Sequence, residues 1–287
     1  MSEFGPTGIR AVIFDWAGTI VDHGSRAPMG VFVEAFKRFG VPVSIEEARA
    51  PMGLPKWDHI KAVGTAPRVA AAWEKAHRRP FADSDVDKIY EVFVPLNAEI
   101  IQRYADIMPG ILPVVDELRA RGIRIGSTTG YSREITDRMV PIAAAQGYRP
   151  DCVIKAGDVP SGRPTPLMMY KCFVELGVWP AAACVKVDDT IPGILEGVSA
   201  GSWTVGVTMT GNEVGLSEQD LASRSEAEQA ELRARASEAL RSAGAHYLID
   251  GVRDLMPVID DIEARLAAGE RPDVETTPAP PAATAAI

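Results

Sequence analysis

Cysteine and positive charge are both scarce in this chain of 287 residues, and each shortage excludes some classes of protein. Its three cysteines, Cys152, Cys172 and Cys184, are odd in number, lack CxxC spacing and stand in apolar runs. We therefore predict reduced core residues and no disulfide. Acidic residues outnumber basic ones by 39 to 30, which gives a net charge of -9 at pH 7. This balance argues against a surface that binds nucleic acid or an anionic membrane.

Long apolar runs are also missing. The first residues, MSEFGPTGIR, lack the hydrophobic region of a signal peptide, and no later run reaches the ~18 apolar residues of a membrane span. We therefore expect a cytoplasmic protein. With 46% apolar residues, the chain can still bury a substantial core, which predicts one globular unit of enzyme size. Residues 272–287 are rich in Pro, Ala and Thr, and we predict a disordered tail there.

Short apolar runs of strand length recur along the chain and alternate with amphipathic segments of helix length. The runs are 11–15, 123–128, 151–156, 183–189, 203–208 and 246–250. Their hydrophobicity is continuous, which is typical of parallel strands buried on both faces. We predict an α/β fold with a doubly wound, mainly parallel, Rossmann-like core sheet. Ligands of such a sheet bind beyond the carboxyl ends of its strands.

The region 26–102 breaks this alternation, because it contains helical patterns and no persuasive strand. We interpret it as an all-helical cap domain inserted after the first strand. Residues 1–25 and 103–271 would then form the core domain. Within the insertion, the stretch GVFVEAFKRFG carries an apolar stripe. Such a stripe either packs inside its own domain or forms a surface between two copies of the chain.

Four polar residues stand at or just beyond the ends of predicted parallel strands. They are Asp15, Thr129, Arg163 and Asp189. A doubly wound sheet gathers such residues at one edge despite their separation in sequence. One of them alone could be a helix cap or a turn residue, but four together predict a site. Asp15 and Asp189 are hard oxygen ligands that suit Mg²⁺, whereas the adjacent Asp188 is either a further contributor or a strand-end cap.

The sequence around these residues resembles the haloacid dehalogenase superfamily. FDWAGT matches its DxxGT nucleophile motif, STTG its Ser/Thr motif, GRPTP the motif usually written with lysine before proline, and VDDT its acidic motif. The resemblance implies that Asp15 takes up a phosphoryl group as an aspartyl phosphate. It implies a substrate-binding set of Thr129, Gly130 and Arg163. It also implies a Mg²⁺ site made by Asp15, Ala17 and Asp189, while Gly193 stands in place of a further acid.

The residue at position 17 differs from the one found in the phosphomonoesterases of this superfamily. Those enzymes carry an aspartate there that protonates the departing alkoxide, whereas the methyl group of Ala17 cannot donate a proton. Either the protein is a phosphatase that has lost its acid, or its leaving group departs without one. A carbon leaving group can place its electrons on an iminium nitrogen, if a lysine has condensed with an adjacent carbonyl. A lysine at the site would offer one such route for the second alternative.

Residues 50–60, APMGLPKWDHI, offer Lys56 after a Gly/Pro-containing approach to a predicted helix. Together with FDWAGTIVDHG, STTGYSRE and GRPTP, this segment is similar to the phosphonatase branch of the superfamily, the phosphonoacetaldehyde hydrolases. The similarity extends from residue 9 to about residue 215. It implies that Lys56 forms a Schiff base with the substrate aldehyde. It further implies that Met52 and His59 support the lysine and proton transfer, and that Tyr131 lies at the site.

The resemblance implies hydrolysis of phosphonoacetaldehyde to acetaldehyde and phosphate, with Mg²⁺ as cofactor, in phosphonate degradation. It also implies a cap that closes over the core and a homodimer formed through the cap. Alternatives stay open: a Mg²⁺-dependent phosphomonoesterase, a dehalogenase that uses the same aspartate, or a non-catalytic protein that binds a phosphometabolite. We expect structural roles for His23 and Ser25, near the hinge into the cap. GNEVGLS (211–217) is expected to cover or connect, and 217–242 to form a solvated helix.

Overall fold

A computed structural model describes residues 8–272 of the chain. Within this range one sheet is formed by β1 (Ala11–Phe14), β2 (Arg124–Thr129), β3 (Cys152–Lys155), β4 (Cys184–Asp188), β5 (Trp203–Val207) and β6 (Tyr247–Ile249). The strands are all parallel and lie in the order β3-β2-β1-β4-β5-β6. Each coincides with a predicted run to within one residue at either end. The predicted α/β fold is confirmed, with a sheet that is parallel throughout.

The helices between β1 and β2 are α1 (Ala27–Arg38), α2 (Ile45–Arg49), α3 (Lys56–Thr65), α4 (Pro67–His77), α5 (Asp83–Ile100) and α6 (Ile111–Ala120), with a 3₁₀ turn at Ile101–Tyr104. After β2, β3 and β4 come α7 (Arg133–Ala145), α8 (Leu167–Leu176) and α9 (Ile191–Ala200), respectively. α10 (Glu218–Ala222), α11 (Glu226–Ser242) and α12 (Met256–Ala267) follow β5 and β6. Residues 26–102, all of them described, contain no strand, which confirms the helical insertion.

Aromatic side chains pack the first, third and fifth helices of this insert together. Phe32 of α1 stacks on His59 of α3 with ring centroids 4.0 Å apart, and its ring lies 4.3 Å from that of Phe93 of α5. Val31 and Phe36 of α1 are also buried within the chain. Each such side chain stabilises the packing by about 1.5–3 kcal/mol, so α3 is held firmly in the insert. The homodimer through the insert stays a prediction.

The central pair of strands creates the position of the site. β1 and β4 are neighbours, with Phe14 paired to Val187, and the chain proceeds outward from them in opposite directions, through β2 on one side and β5 on the other. Such a reversal leaves a crevice at the carboxyl ends of the two strands, where open α/β sheets bind ligands. Asp15 directly follows β1, and Asp189 directly follows β4. Both predicted acids therefore stand at this crevice.

The three cysteines are buried free thiols, as predicted. The solvated helix expected over 217–242 is divided into α10 and α11, because Ser225 begins a new helix with a capping box through Glu228. From residue 273 onward, the predicted tail lies outside the described residues. Among residues 8–272, no helix has the length and apolar character needed to cross a membrane.

Candidate active site

A small cavity lies at the carboxyl end of the sheet, between the core and the insert. The core side includes Asp15 after β1, Thr129 at the end of β2, and Arg163 from the loop before α8. The insert contributes Met52 and Lys56. Gly130, Tyr131 and Ala17 also line it. Residues predicted from separate parts of the sequence thus share one cavity.

Two glycines allow the insert to approach the strand ends this closely. A Cβ on Gly130 would stand 2.6 Å from the carbonyl oxygen of Leu54. Gly53 has a φ of +93°, and a Cβ there would stand 2.3 Å from Thr190 Oγ1. A larger residue at either position would push the insert away from the core, so both glycines are needed for the closed cavity.

Asp15 is paired with a buried cation on the core side of the cavity. Arg163 Nη2 donates to Asp15 Oδ1 at 2.7 Å and to the carbonyl oxygen of Thr128 at 2.8 Å. Burial, together with the nearby Asp188, raises the pKa of Asp15 to about 6, although Arg163 opposes this rise. A carboxylate beside a fixed guanidinium suits a nucleophile that must meet an anionic phosphorus group, because the cation reduces the repulsion between them.

Three buried carboxylates form the candidate metal centre. Oxygens of Asp15, Asp188 and Asp189 lie within 4.8 Å of one another. Burial raises the pKa of Asp188, but Arg163 and Lys186, at 3.1 and 3.0 Å from its Oδ2, outweigh burial and leave the pKa below its usual value. For Asp189, burial and the charges of Asp15 and Asp188 raise the pKa well above its usual value. The unbalanced negative charge and hard oxygen donors of this centre fit a divalent cation.

The remaining predicted metal residue, Ala17, has only a backbone oxygen to offer. Its side chain is buried and faces the cavity. Gly193 stands where a further acid is expected, and close packing explains the glycine. A Cβ at position 193 would stand 2.0 Å from Asp188 Cγ. Thr190 Oγ1 instead donates to Asp188 Oδ1 at 2.7 Å. A larger residue at 193 would therefore displace Asp188.

Lys56 is the first residue of α3 and is only 4% exposed. Its Nζ lies 3.8 Å from Met52 Sδ and 4.9 Å from the centroid of the Tyr131 ring. Burial lowers the pKa of Lys56 to about 8, with Asp15 opposing this and Arg163 adding to it. A much larger fraction of this amine is therefore neutral near pH 7 than for an exposed lysine.

Known proteins share both this fold and this sequence. The model of the haloacid dehalogenase-like hydrolases matches residues 9–201. The phosphonoacetaldehyde hydrolase of Paraburkholderia phytofirmans is 53% identical over 264 residues, which are 92% of this chain and 99% of that relative. The phosphonoacetaldehyde hydrolase of Aeromonas hydrophila is 51% identical over 268 residues, 93% and 96% of the two chains. This chain belongs to the phosphonoacetaldehyde hydrolase family.

Solved structures agree with this membership of the phosphonoacetaldehyde hydrolase family. The crystal structure of a phosphonoacetaldehyde hydrolase-like protein from Oleispira antarctica has a TM-score of 0.91 and 43% identity, over 94% of this chain and 97% of that one. A β-phosphoglucomutase from Clostridium difficile has a TM-score of 0.64 at 16% identity, over 91% and 99%. The second likeness demonstrates only that the fold is shared.

His59 and Tyr131 are both buried, but only Tyr131 lines the cavity. His59 lies outside the cavity lining, and its Nε2 donates to the carbonyl oxygen of Ala48 at 2.6 Å. Burial lowers the pKa of His59 well below its usual value, so the ring is neutral. Burial also raises the pKa of the Tyr131 hydroxyl well above its usual value. Within residues 8–272, His59 Nδ1 and the Tyr131 hydroxyl have no hydrogen-bond partner.

Two further buried charges support the site, and the sequence reasoning missed them. Lys186 Nζ donates to Thr128 Oγ1 at 2.6 Å and lies 3.1 Å from Glu196 Oε2. Glu196 Oε2 also accepts from Arg163 Nε at 3.1 Å. The available signal is a charged residue inside each apolar element, Lys186 in VKVD and Glu196 in GILEG. Charged residues are almost never fully buried unless they are paired, so each one needed a partner.

Residues 22–25 lead from the first strand toward the insert. Asp22 accepts hydrogen bonds from the backbone N–H groups of Arg26 and Ala27 at 2.9 and 2.8 Å, and so holds the start of α1. His23 Nδ1 donates to the carbonyl oxygen of Leu216 at 2.9 Å. Ser25, with a φ of 49°, lines the cavity. The chain thus enters the insert directly beside the candidate site.

Proposed function

We propose that this protein hydrolyses the carbon–phosphorus bond of phosphonoacetaldehyde to acetaldehyde and phosphate. The observation that carries the proposal is the buried Lys56 of the insert, which lines the same cavity as Asp15. An amine of lowered pKa can form an imine, and a carboxylate beside Arg163 can attack phosphorus. The names of the relatives support the choice of substrate. The methyl group of Ala17 fits a leaving group that is not an alkoxide.

Residues 26–102 would act as a cap domain on a core made by 1–25 and 103–271. The close fit at Gly53 and Gly130 brings the cap and the core into tight contact beside the cavity. Cap opening would admit the substrate, and closure brings Lys56 to the substrate and excludes water. The hinge lies near Ser25, where Asp22 holds the start of the first cap helix.

The first chemical stage is imine formation. The neutral amine of Lys56 adds to the aldehyde carbon, and loss of water with uptake of one proton from solvent leaves a protonated imine. Burial and Arg163 favour the neutral amine before this step. Once the iminium forms, its positive charge lies near the face of the Tyr131 ring, 4.9 Å from the lysine nitrogen, where a cation–π interaction stabilises it. Met52 packs against the same nitrogen, and His59 orients this segment through Ala48.

The second stage breaks the carbon–phosphorus bond. Asp15 attacks phosphorus, and the electron pair of the broken bond moves to the iminium nitrogen, which gives an enamine. Protonation at carbon and hydrolysis of the resulting imine release acetaldehyde and regenerate Lys56. Water then releases phosphate from Asp15. Thr129, Gly130 and Arg163 bind the phosphoryl oxygens throughout, and no acid is needed at position 17 because no alkoxide departs.

Asp15, Asp189 and the backbone oxygen of Ala17 would hold Mg²⁺, with Asp188 beside them. When bound, the ion supplies positive charge that offsets the repulsion between the substrate dianion and the carboxylates. The raised pKa values of Asp15 and Asp189 support this site, because burial and the neighbouring carboxylates both disfavour their ionised forms when no cation is near.

Purified full-length protein with Mg²⁺ is expected to release phosphate and acetaldehyde in equal amounts from phosphonoacetaldehyde, and excess EDTA should stop the reaction. Alkyl phosphate esters should react about 10²- to 10⁴-fold more slowly, because position 17 offers no general acid. Coupled assays of both products measure these rates. Preference for the ester would instead indicate a phosphomonoesterase, and turnover of a haloacid in EDTA would indicate a dehalogenase. Tight phosphonate binding without any turnover would indicate a binding protein.

The pH dependence of kcat/KM provides a second test. Imine formation needs the neutral amine, and the pKa of Lys56 is about 8. As the pH falls below this value the amine becomes protonated, so kcat/KM is expected to decline by about tenfold per pH unit. Steady-state assays across this range check the slope, after correction for substrate ionisation followed by phosphorus NMR. A profile that stays flat from about pH 8 to about pH 6 contradicts a rate-controlling amine.

A further inference from the structure

Arg49, the last residue of α2, reaches from the insert to two segments of the core. Its Nη1 donates to the carbonyl oxygen of Gly24 at 2.8 Å and to the Oδ1 and backbone oxygen of Asn212 at 3.0 and 3.2 Å. Its Nη2 donates to the carbonyl oxygen of Gly215 at 3.5 Å. Gly24 belongs to the hinge, and Asn212 and Gly215 belong to the GNEVGLS segment. One guanidinium therefore joins the insert, the hinge and this segment.

The same segment holds a carboxylate of the candidate metal centre. The backbone N–H of Asn212 donates to Asp189 Oδ2 at 2.8 Å. Gly211 packs so closely that a Cβ there would stand 2.5 Å from Asp189 Cβ. At the other end, Gly215 has a φ of +69°, and a Cβ there would stand 2.8 Å from Arg49 Cζ. Asn212 is thus bound to Arg49 by its side chain and to Asp189 by its backbone.

Opening of the insert would carry Arg49 away from these acceptors. Burial lowers the pKa of Arg49, and the nearby charges of Asp22, Asp189 and Glu213 oppose this effect. A partly buried guanidinium that loses its hydrogen bonds must be resolvated, and the carbonyl groups of the segment lose a charged donor. The arrangement of residues 211–215 therefore depends on the position of the insert.

We propose that Arg49 is a positioning residue that couples closure of the insert to the geometry of the metal centre. In the closed state its guanidinium fixes residues 211–215, and the N–H of Asn212 then orients Asp189 toward the cation. This inference rests on the proposed function for the closing insert and the bound Mg²⁺. Because coupling between two sites is reciprocal, a cation at Asp189 must favour the closed insert as strongly as closure favours the cation.

The test compares Arg49→Met and Arg49→Lys with the unaltered chain, using Mn²⁺ as the probe. Arg68→Met is the matched control, because Arg68 donates to Glu47 and to the Pro42 carbonyl oxygen, all within the insert. Mn²⁺ affinity is measured by electron paramagnetic resonance. Hydrogen exchange of peptides covering 44–56 and 211–217 is measured with and without Mg²⁺. Turnover of phosphonoacetaldehyde is measured separately as kcat and KM.

Arg49→Met is expected to weaken Mn²⁺ binding by about tenfold and to lose the protection that Mg²⁺ gives to both peptides. Arg49→Lys should recover part of each effect, because an ammonium keeps the charge but lacks the fork that reaches several carbonyl groups. Arg68→Met should match the unaltered chain.

Unchanged Mn²⁺ affinity and unchanged exchange in Arg49→Met would overturn the proposal. So would faster exchange throughout the core sheet with a lower Tm, which would make Arg49 a residue of general stability. The binding and exchange measurements need no turnover. If the unaltered protein fails to hydrolyse phosphonoacetaldehyde while the exchange pattern holds, the proposed function fails and the coupling stands.

Discussion

Replacement of Lys56 by arginine is expected to reduce hydrolysis of phosphonoacetaldehyde by about 10⁴-fold or more, the scale of losing a covalent catalyst. The guanidinium stays protonated at every usable pH and cannot add to an aldehyde. Without the iminium, the electron pair of the carbon–phosphorus bond has no acceptor. The positive charge near Tyr131 is retained in this variant, so the loss isolates nucleophilicity from charge. The rate of phosphate release in the presence of Mg²⁺ measures this loss of turnover.

The matched control for this variant is Lys61→Arg on the same helix. Lys61 is half-buried, lies outside the cavity lining and pairs with Asp83 at 2.9 Å, so its replacement should leave turnover near the native rate. In parallel, borohydride added with substrate should attach the two-carbon fragment to Lys56, as read by peptide mass spectrometry. Native turnover in Lys56→Arg, or an adduct on another lysine, would rule out the proposed imine.

Asp15→Asn is expected to lose turnover by about 10⁴- to 10⁶-fold, because a neutral amide does not attack phosphorus. Its particular value is that it separates the two chemical stages. Lys56 lies on the insert and depends on Asp15 only through charge, which favours the ammonium form. Removal of that charge should lower the pKa of Lys56 further. Imine formation should therefore persist in this variant.

Borohydride treatment of Asp15→Asn with substrate should yield a Lys56 adduct that still carries phosphorus. In the unaltered protein, the fraction of the adduct that has lost phosphorus should instead increase with time. Asp116→Asn, an exposed change on α6, is the control for the substitution itself. Retained turnover in Asp15→Asn, or the absence of any adduct in a folded protein, would contradict the proposed sequence of steps.

The strands were predictable because their physical signal is local. A parallel strand buried on both faces must be apolar along its length, and the run AVIF of β1 is fully buried. The acids at strand ends could be grouped for the same reason, since parallel strands deliver their carboxyl ends to one edge. The family could be recognised from its motifs, and the 53% identity to a relative confirms it. Lys56, by contrast, came from resemblance, because a lysine alone gives no local signal of burial.

The supporting network around Arg163 was not predictable from spacing. Lys186 and Glu196 are paired across β4 and α9, and their contacts with Thr128 and Arg163 involve segments far apart in the sequence. The same holds for GNEVGLS, which suggests no obvious chemistry and whose contacts with Asp189 and Arg49 exist only after folding. Hydrogen bonds between distant segments have no periodicity, so pattern analysis does not detect them.

The sequence by itself determined the parallel α/β core, the helical insert after the first strand and the membership of a family, because apolar periodicity and short motifs act over a few residues. Only the tertiary structure decided which charges neutralise one another. It pairs Asp188 with Arg163 and Lys186, and it leaves Asp189 with raised pKa. The physical reason is that electrostatic energy depends on the distance between charges and on their burial in the folded molecule. Neither quantity can be obtained from the order of the residues alone.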